Sequence, residues 1–152
     1  MTPEERIAEL GLTIPDVTPP VAAYVPTLRT GPYVYVSGQI PTRGGELMKV
    51  GKVGAEVSLE DAYECARQCA LNGLAAVRAE IGQLTFVRQV VKVVAFVASD
   101  PDFSDQPKVA NGASELLNEV LGDAGRHARS AVGVAALPLN VPVEVEMVVE
   151  VG

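Results

Sequence analysis

Arg129 heads the apolar run AVGVAAL, and fifteen residues later Glu144 interrupts a stretch of alternating valines. A guanidinium at the start of a buried strand needs an anionic partner, because burying it unpaired is costly. One partner is structural, Glu144 or Glu146 on the next strand, and composition alone favours it. The other is an external carboxylate, which the planar fork of arginine grips by both oxygens. Glu144 poses a parallel choice. With Glu146 and Glu150 it makes a row of like charges on one strand face. Such a row is ordinarily solvated, but a member beside a pocket has its pKa raised.

Fewer of the other reactive side chains combine. His127 is the one histidine. It can serve as a general base, yet reads more simply as a surface residue, and no metal site, Ser-His-Asp or Cys-His arrangement can be placed around it. Cys65 and Cys69 share one side of a predicted helix. They read as small buried hydrophobes rather than a redox or metal pair, and fit a reducing compartment. Tyr24, in the extended VAAYVP, has a hydroxyl that could orient a ligand; the plainer reading is core packing with the phenol at the edge. Asn72 and Asn111, on predicted helices, read as backbone-bonding residues. Neither GxxxxGK[ST] nor GxGxxG occurs, so there is no nucleotide-binding signature.

The elements that must position these groups follow from periodicity and punctuation. MTPEERIAELG reads as a short helix with Thr2 as cap and Glu5 completing a capping box. LTIPDVTPPVA follows as extended linker. Two strands flank Thr30-Gly31-Pro32, and the Gly-rich TRGGELMKVGKVG allows a further hairpin. The helix after Ser58 carries a stripe of Ala62, Cys65, Ala66, Cys69, Gly73, Leu74, Val77 and Ile81, and Gly82 stops it. VRQVVKVVAFVAS reads as a central strand. A second helix starts near Pro107 and ends at Gly122 or Gly125. RSAVGVAAL and VPVEVEMVVEV are the last two strands, joined by the turn PLN. The expectation is one α+β domain over residues 1–152, with a helix and extended segment at 1–19 and two helices on one face of a mixed sheet. Two helices cannot cover both faces, and the many valines on the other face predict self-association. Across a hairpin centred near Leu137 to Asn140, Arg129 and Glu144 are expected to approach each other.

The bulk numbers exclude several functions. A net charge of −7 argues against nucleic-acid binding, which relies on Lys and Arg at phosphates. No apolar segment follows a basic start and no run is long enough for a membrane span, so a cytoplasmic protein without membrane contact is expected.

Over residues 20–152 the chain resembles the RidA family, also called the YjgF family, of reactive-intermediate deaminases. YVYVSGQIP resembles that family's signature hairpin, NGLAAVRAEIG the end of its first long helix, and VVKVVAFVASDPDF its central strand and turn. RSAVGVAALPLNVPVEVE, the most specific segment, resembles its C-terminal signature. The resemblance implies a chorismate-mutase-like fold and a homotrimer with a central barrel and clefts between subunits. It implies cofactor-free hydrolysis of enamines and imines such as 2-aminoacrylate to 2-keto acids and ammonia. By position, Arg129 matches the arginine that binds the substrate carboxylate and Glu144 the glutamate that positions water. Tyr24 and Gly38 match residues of the cleft. Ala131 stands where many members have cysteine, whose backbone N–H alanine keeps, and Asn111 matches a helix asparagine. The first fifteen or so residues and GRH before Ala128 depart from the family pattern. A non-catalytic binder or chaperone, and an endoribonuclease or translation inhibitor, are the competing readings; acidity and the lone histidine weigh against the latter.

Overall fold

The computed structural model describes residues 1–17 and 22–152; part of the predicted linker, at 18–21, lies outside them. Helix α1 (Pro3–Glu9) begins with the expected capping box between Thr2 and Glu5. Strands β1 (Thr27–Thr30) and β2 (Tyr33–Gln39) form an antiparallel hairpin whose turn uses Gly31 at a φ of 56°. The Gly-rich stretch makes a small hairpin, β3 (Thr42–Arg43) and β4 (Glu46–Leu47). Helix α2 (Leu59–Ile81), strand β5 (Val87–Ala98), helix α3 (Gln106–Leu121) and strands β6 (Ala128–Val134) and β7 (Val143–Val151) complete the chain.

The main sheet has the order β1-β2-β7-β5-β6 and is mixed: β5 and β6 run parallel, and the other pairs run antiparallel. Strand β5 therefore lies between β6 and β7, and the expected hairpin between the last two strands does not form. The reason is that β5, α3 and β6 are a parallel crossover unit, which puts β6 on one flank of β5. The other flank of β5 is left for β7. The connection from β6 to β7 steps over β5 through a short turn, Pro138–Asn140, with Leu139 and Asn140 both at a φ of 57°.

Alternation decides what each face holds. Val143, Val145, Met147, Val149 and Val151 are buried under the helices. Glu144, Glu146, Val148 and Glu150 point to the open face, as the period of two requires. Across that face lie Leu28, Tyr33, Tyr35 and Val132, each between 38% and 62% exposed. The apolar stripe of α2 is buried as expected, with Ile81 half-buried, but burial goes further. Gln68, Asn72, Ala75 and Ala76 are also covered, because α2 is flanked by α3 and by the loop that carries β3. Asn72 donates to the carbonyls of Ile40 and Thr42, at 3.1 and 3.0 Å, which fixes that loop.

The two helices meet through small residues. At Gly112 a Cβ would overlap the carbonyl oxygen of Tyr63 on α2. Tyr63–Glu115 and Arg67–Glu119 hydrogen bonds flank this approach. Helix α1 packs against α3 and the turn Leu84–Phe86: Ile7 is buried, Arg6 donates to the Val120 carbonyl at 3.1 Å, and Glu4 accepts from the Leu84 N–H at 2.7 Å.

Gly112→Ala is expected to cost about 3 kcal/mol or more, since backbone of two helices would have to move apart. Gly73→Ala, whose Cβ meets the flexible Met147 Cε at 2.8 Å and nothing else closer than 3.6 Å, should stay within about 1 kcal/mol of the parent, helix propensity offsetting the shift. Urea unfolding of both variants checks the contrast; equal losses would contradict it.

Candidate functional site

Arg129 lies in register with Val93 of β5, and through it with Met147 of β7, so it shares the helix-side face of the sheet. Its guanidinium meets α3. Nη1 donates to Asn111 Oδ1 at 2.8 Å and to Ser114 Oγ at 3.2 Å. Neither Glu144 nor Glu146 forms a salt bridge with it among the described residues, which corrects the structural-partner expectation. Both glutamates point to the opposite face. Asn111 likewise bonds a side chain and not the backbone expected for it. Nε and Nη2 of Arg129 have no partner among the described residues, and no buried side-chain nitrogen or oxygen lacks one, so this edge of the fork is open to solvent.

Around Arg129 is a pocket of about 310 Å³ lined by Ser114, Asn118, Arg126, His127 and Arg129. Every lining residue is polar and none is acidic. His127 is half-buried here and not free on the surface: Nδ1 is 2.6 Å from the Gly125 carbonyl oxygen and Nε2 is 2.8 Å from Ser114 Oγ. The fold thus builds a Ser-His pair that could not be placed from sequence. The sequence carries a signal for it. His127 and Arg129 are two apart on one strand side, and Asn111, Ser114 and Asn118 recur at helical spacing as a polar stripe on α3.

Tyr24 and Gly38 lie elsewhere. A cavity of about 590 Å³ is lined by Tyr24, Ser37, Gly38, Gln39 and Asn72, with Pro15, Asp16 and Val17 from the N-terminal segment. Tyr24 is 57% exposed, so its phenol is not a core group. Gly38 sits where a Cβ would overlap Glu144 Oε2, which lets that carboxylate lie against backbone. Glu144 is in register with Phe96 of β5, three residues along from the row of Arg129. Within one chain Arg129 and Glu144 are thus on opposite faces, two strands and three residues apart, about 14 Å by strand geometry. Their expected approach does not occur. Ala131 follows Arg129 on β6, which is an edge strand with backbone groups unpaired by the sheet on its outer side.

Electrostatics separates the two places. Partial burial, and then the Glu146 charge, raise the Glu144 carboxyl above its ordinary value. Burial pushes the Cys65 thiol up to about 11 and Cys69 higher than usual as well, so neither is a ready thiolate. Among the described residues no group of His, Cys, Asp or Glu could hold a metal ion, and no helix is long and apolar enough to cross a membrane.

Comparison with known proteins places the fold. Residues 4–151, α1 included, match the family described as "YjgF/chorismate mutase-like, putative endoribonuclease". Protein TCP17 of Trypanosoma cruzi is 40% identical over 146 residues, 95% of this chain and 91% of that protein. The crystal structure of Atu1372 from Agrobacterium tumefaciens, a protein of unknown function, is 45% identical with a TM-score of 0.92, covering 99% of this chain and 92% of that one. A Shewanella oneidensis MR-1 structure named as a putative endoribonuclease is 31% identical with a TM-score of 0.96, covering 99% and 100%.

The raised Glu144 pKa makes a stability prediction. The folded chain holds this proton more tightly than the unfolded chain, so stability is lost as pH rises from the ordinary value of 4.5 through the folded value. Glu144→Gln keeps the neutral form. It should melt above the parent at pH 7, about 2.5 units above that ordinary value, with the gap closing as pH falls below it. A glutamine variant no more stable at pH 7 would mean that the carboxylate is freely solvated.

Proposed function

We propose, from the premise that this chain belongs to the YjgF/chorismate mutase-like family, that it hydrolyses 2-imino and 2-enamino acids to 2-keto acids and ammonia. The observation that carries this reading is the Arg129 fork. One edge is held by Asn111 and Ser114, and the other is open in a pocket free of carboxylates. A carboxylate is the ligand such an edge takes, by two parallel charged hydrogen bonds. An imine is already an electrophile, so the protein has only to hold the carboxylate, place a water and move protons.

Water placement falls to Glu144, which one chain keeps away from its own Arg129. We therefore propose that the working unit is a homotrimer. The edge strand of one copy brings Arg129, Asn111 and the Ala131 backbone toward Glu144, Gly38 and Tyr24 of a second copy. The exposed Leu28, Tyr35 and Val132 of the open face support such packing.

The endoribonuclease name carried by relatives has less behind it in this chain. Its net charge is −7, and its one histidine would have to serve without a second imidazole. A non-catalytic carboxylate binder would use the same Arg129 fork and differ only in turnover.

The test generates imines with an amino-acid oxidase and traps them with semicarbazide. The wild-type protein should lower semicarbazone formation and speed keto-acid release, and Arg129→Ala should lose roughly 10- to 150-fold in kcat/KM, the worth of a charged contact. Keto-acid binding without turnover would favour the binder, and an Arg129→Ala variant as active as the parent would sink the clamp. Light scattering should give three times 15.9 kDa. Val148→Asp, on the open face, should break the assembly and the activity together.

A further inference from the structure

We infer that Ser114 and His127 form a proton relay at the Arg129 clamp, Ser114 touching the substrate and His127 positioned behind it; this rests on the deaminase reading above. The hydrogen-bond directions are forced. The Gly125 carbonyl can only accept, so His127 Nδ1, 2.6 Å away, carries the proton. In the neutral ring Nε2 is then the acceptor, and the Ser114 hydroxyl, 2.8 Å away, must donate to it. Arg129 Nη1 donates to the same Oγ at 3.2 Å. One oxygen thus has a base drawing off its proton and a cation stabilising the charge left behind.

Anchoring alone does not call for this arrangement, because Asn111 already holds Nη1 at 2.8 Å. The groups that face His127 are Ser114 and Asn118 from α3, Arg126 beside it and Arg129 from β6. A guanidinium has no acceptor, so among the ring and guanidinium nitrogens of the pocket only His127 Nε2 can take a proton from Ser114.

Imine hydrolysis needs that service twice. A 2-imino acid carries its C=N bond next to the carboxylate, and the relay requires it to turn toward Nη1, where Ser114 Oγ accepts at 3.2 Å. In the first step water adds: a C–O bond forms, the C=N π pair moves to nitrogen, and one water O–H bond breaks. In the second step the carbinolamine collapses: its O–H bond breaks, the C=O bond forms and the C–N bond cleaves. Each step moves one proton from oxygen to nitrogen. Ser114 Oγ takes it as its own proton passes to His127 Nε2, and the reverse transfer delivers it to nitrogen. Two transfers turn imine and water into keto acid and ammonia with nothing left over. The Nδ1–H stays on Gly125 throughout, so the ring need not flip.

The test measures keto-acid release from oxidase-generated imine and, separately, binding of 2-ketobutyrate as a readout of the clamp. Ser114→Ala and His127→Gln should bind 2-ketobutyrate within about threefold of the parent while kcat falls roughly 100-fold, and Ser114→Thr should recover most of it. Any acidic limb of the wild-type kcat profile should be absent in His127→Gln, which has no ring to take the proton. A limb that persists in His127→Gln belongs to another group and overturns the relay. So does a kcat within about twofold of the parent in both variants, or a joint loss of binding and kcat with an unchanged pH profile, which would make the pair a prop for Arg129. A wild-type protein that binds 2-ketobutyrate but turns nothing over removes the deaminase reading itself, and the relay with it.

Discussion

The orientation of Arg129 depends on a place where two helices touch backbone to backbone. Residue 112 has no side chain, so α3 can lie on the Tyr63 carbonyl of α2. That contact fixes α3 at the height where Asn111 and Ser114 reach the start of β6. A second close approach follows at Gly125, where a Cβ would overlap the Leu117 carbonyl. The chain can therefore fold back tightly after α3, and the Gly125 carbonyl arrives at His127. Neither glycine touches Arg129. Both act by allowing backbone to come close, and the polar network forms in the space that this leaves.

Much of this fold was legible in local pattern. The valines of β7 alternate with glutamates, so burial by the period of two had one solution. Thr2 and Ser58 announce helix starts, and Gly82, at a φ of 93°, announces a stop. Strand order was not legible in that way. The short PLN turn invites a hairpin between β6 and β7, and only the parallel crossover through α3 displaces it. The misplacement of Arg129 beside Glu144 came from that one step. The Ser114–His127 bond was hidden for a related reason: it joins a helix stripe to a strand start, and no local spacing tells which strand a helix face will cover.

The N-terminal segment shows the same division between what a residue prefers and where it is carried. The capping box of α1 is local and forms as the sequence dictates. Ile7, Arg6 and Glu4 then tie the helix to α3 and the Leu84 turn. With the helix fixed there, the chain after it runs on to the cavity that holds Tyr24 and Gly38, where Pro15, Asp16 and Val17 become part of the wall. Residues ahead of the main sheet thus narrow a concave site of the domain.

Separating Arg129 from Glu144 has a chemical consequence. Had β6 and β7 paired across the turn at Leu137 to Asn140, Arg129 would have lain opposite Val148, within diagonal reach of Glu146 and Glu150, and its fork would have faced the protein's own anions. With β5 between them and a face of the sheet dividing them, Arg129 is held by neutral partners, which orient it without satisfying its charge. Glu144 is left with partial burial and a like-charged neighbour, which raise its pKa. Each group carries an unspent electrostatic demand that a single chain does not meet. An anionic ligand at one and a water or proton at the other would meet both, and strand order, more than either residue, keeps the two demands open.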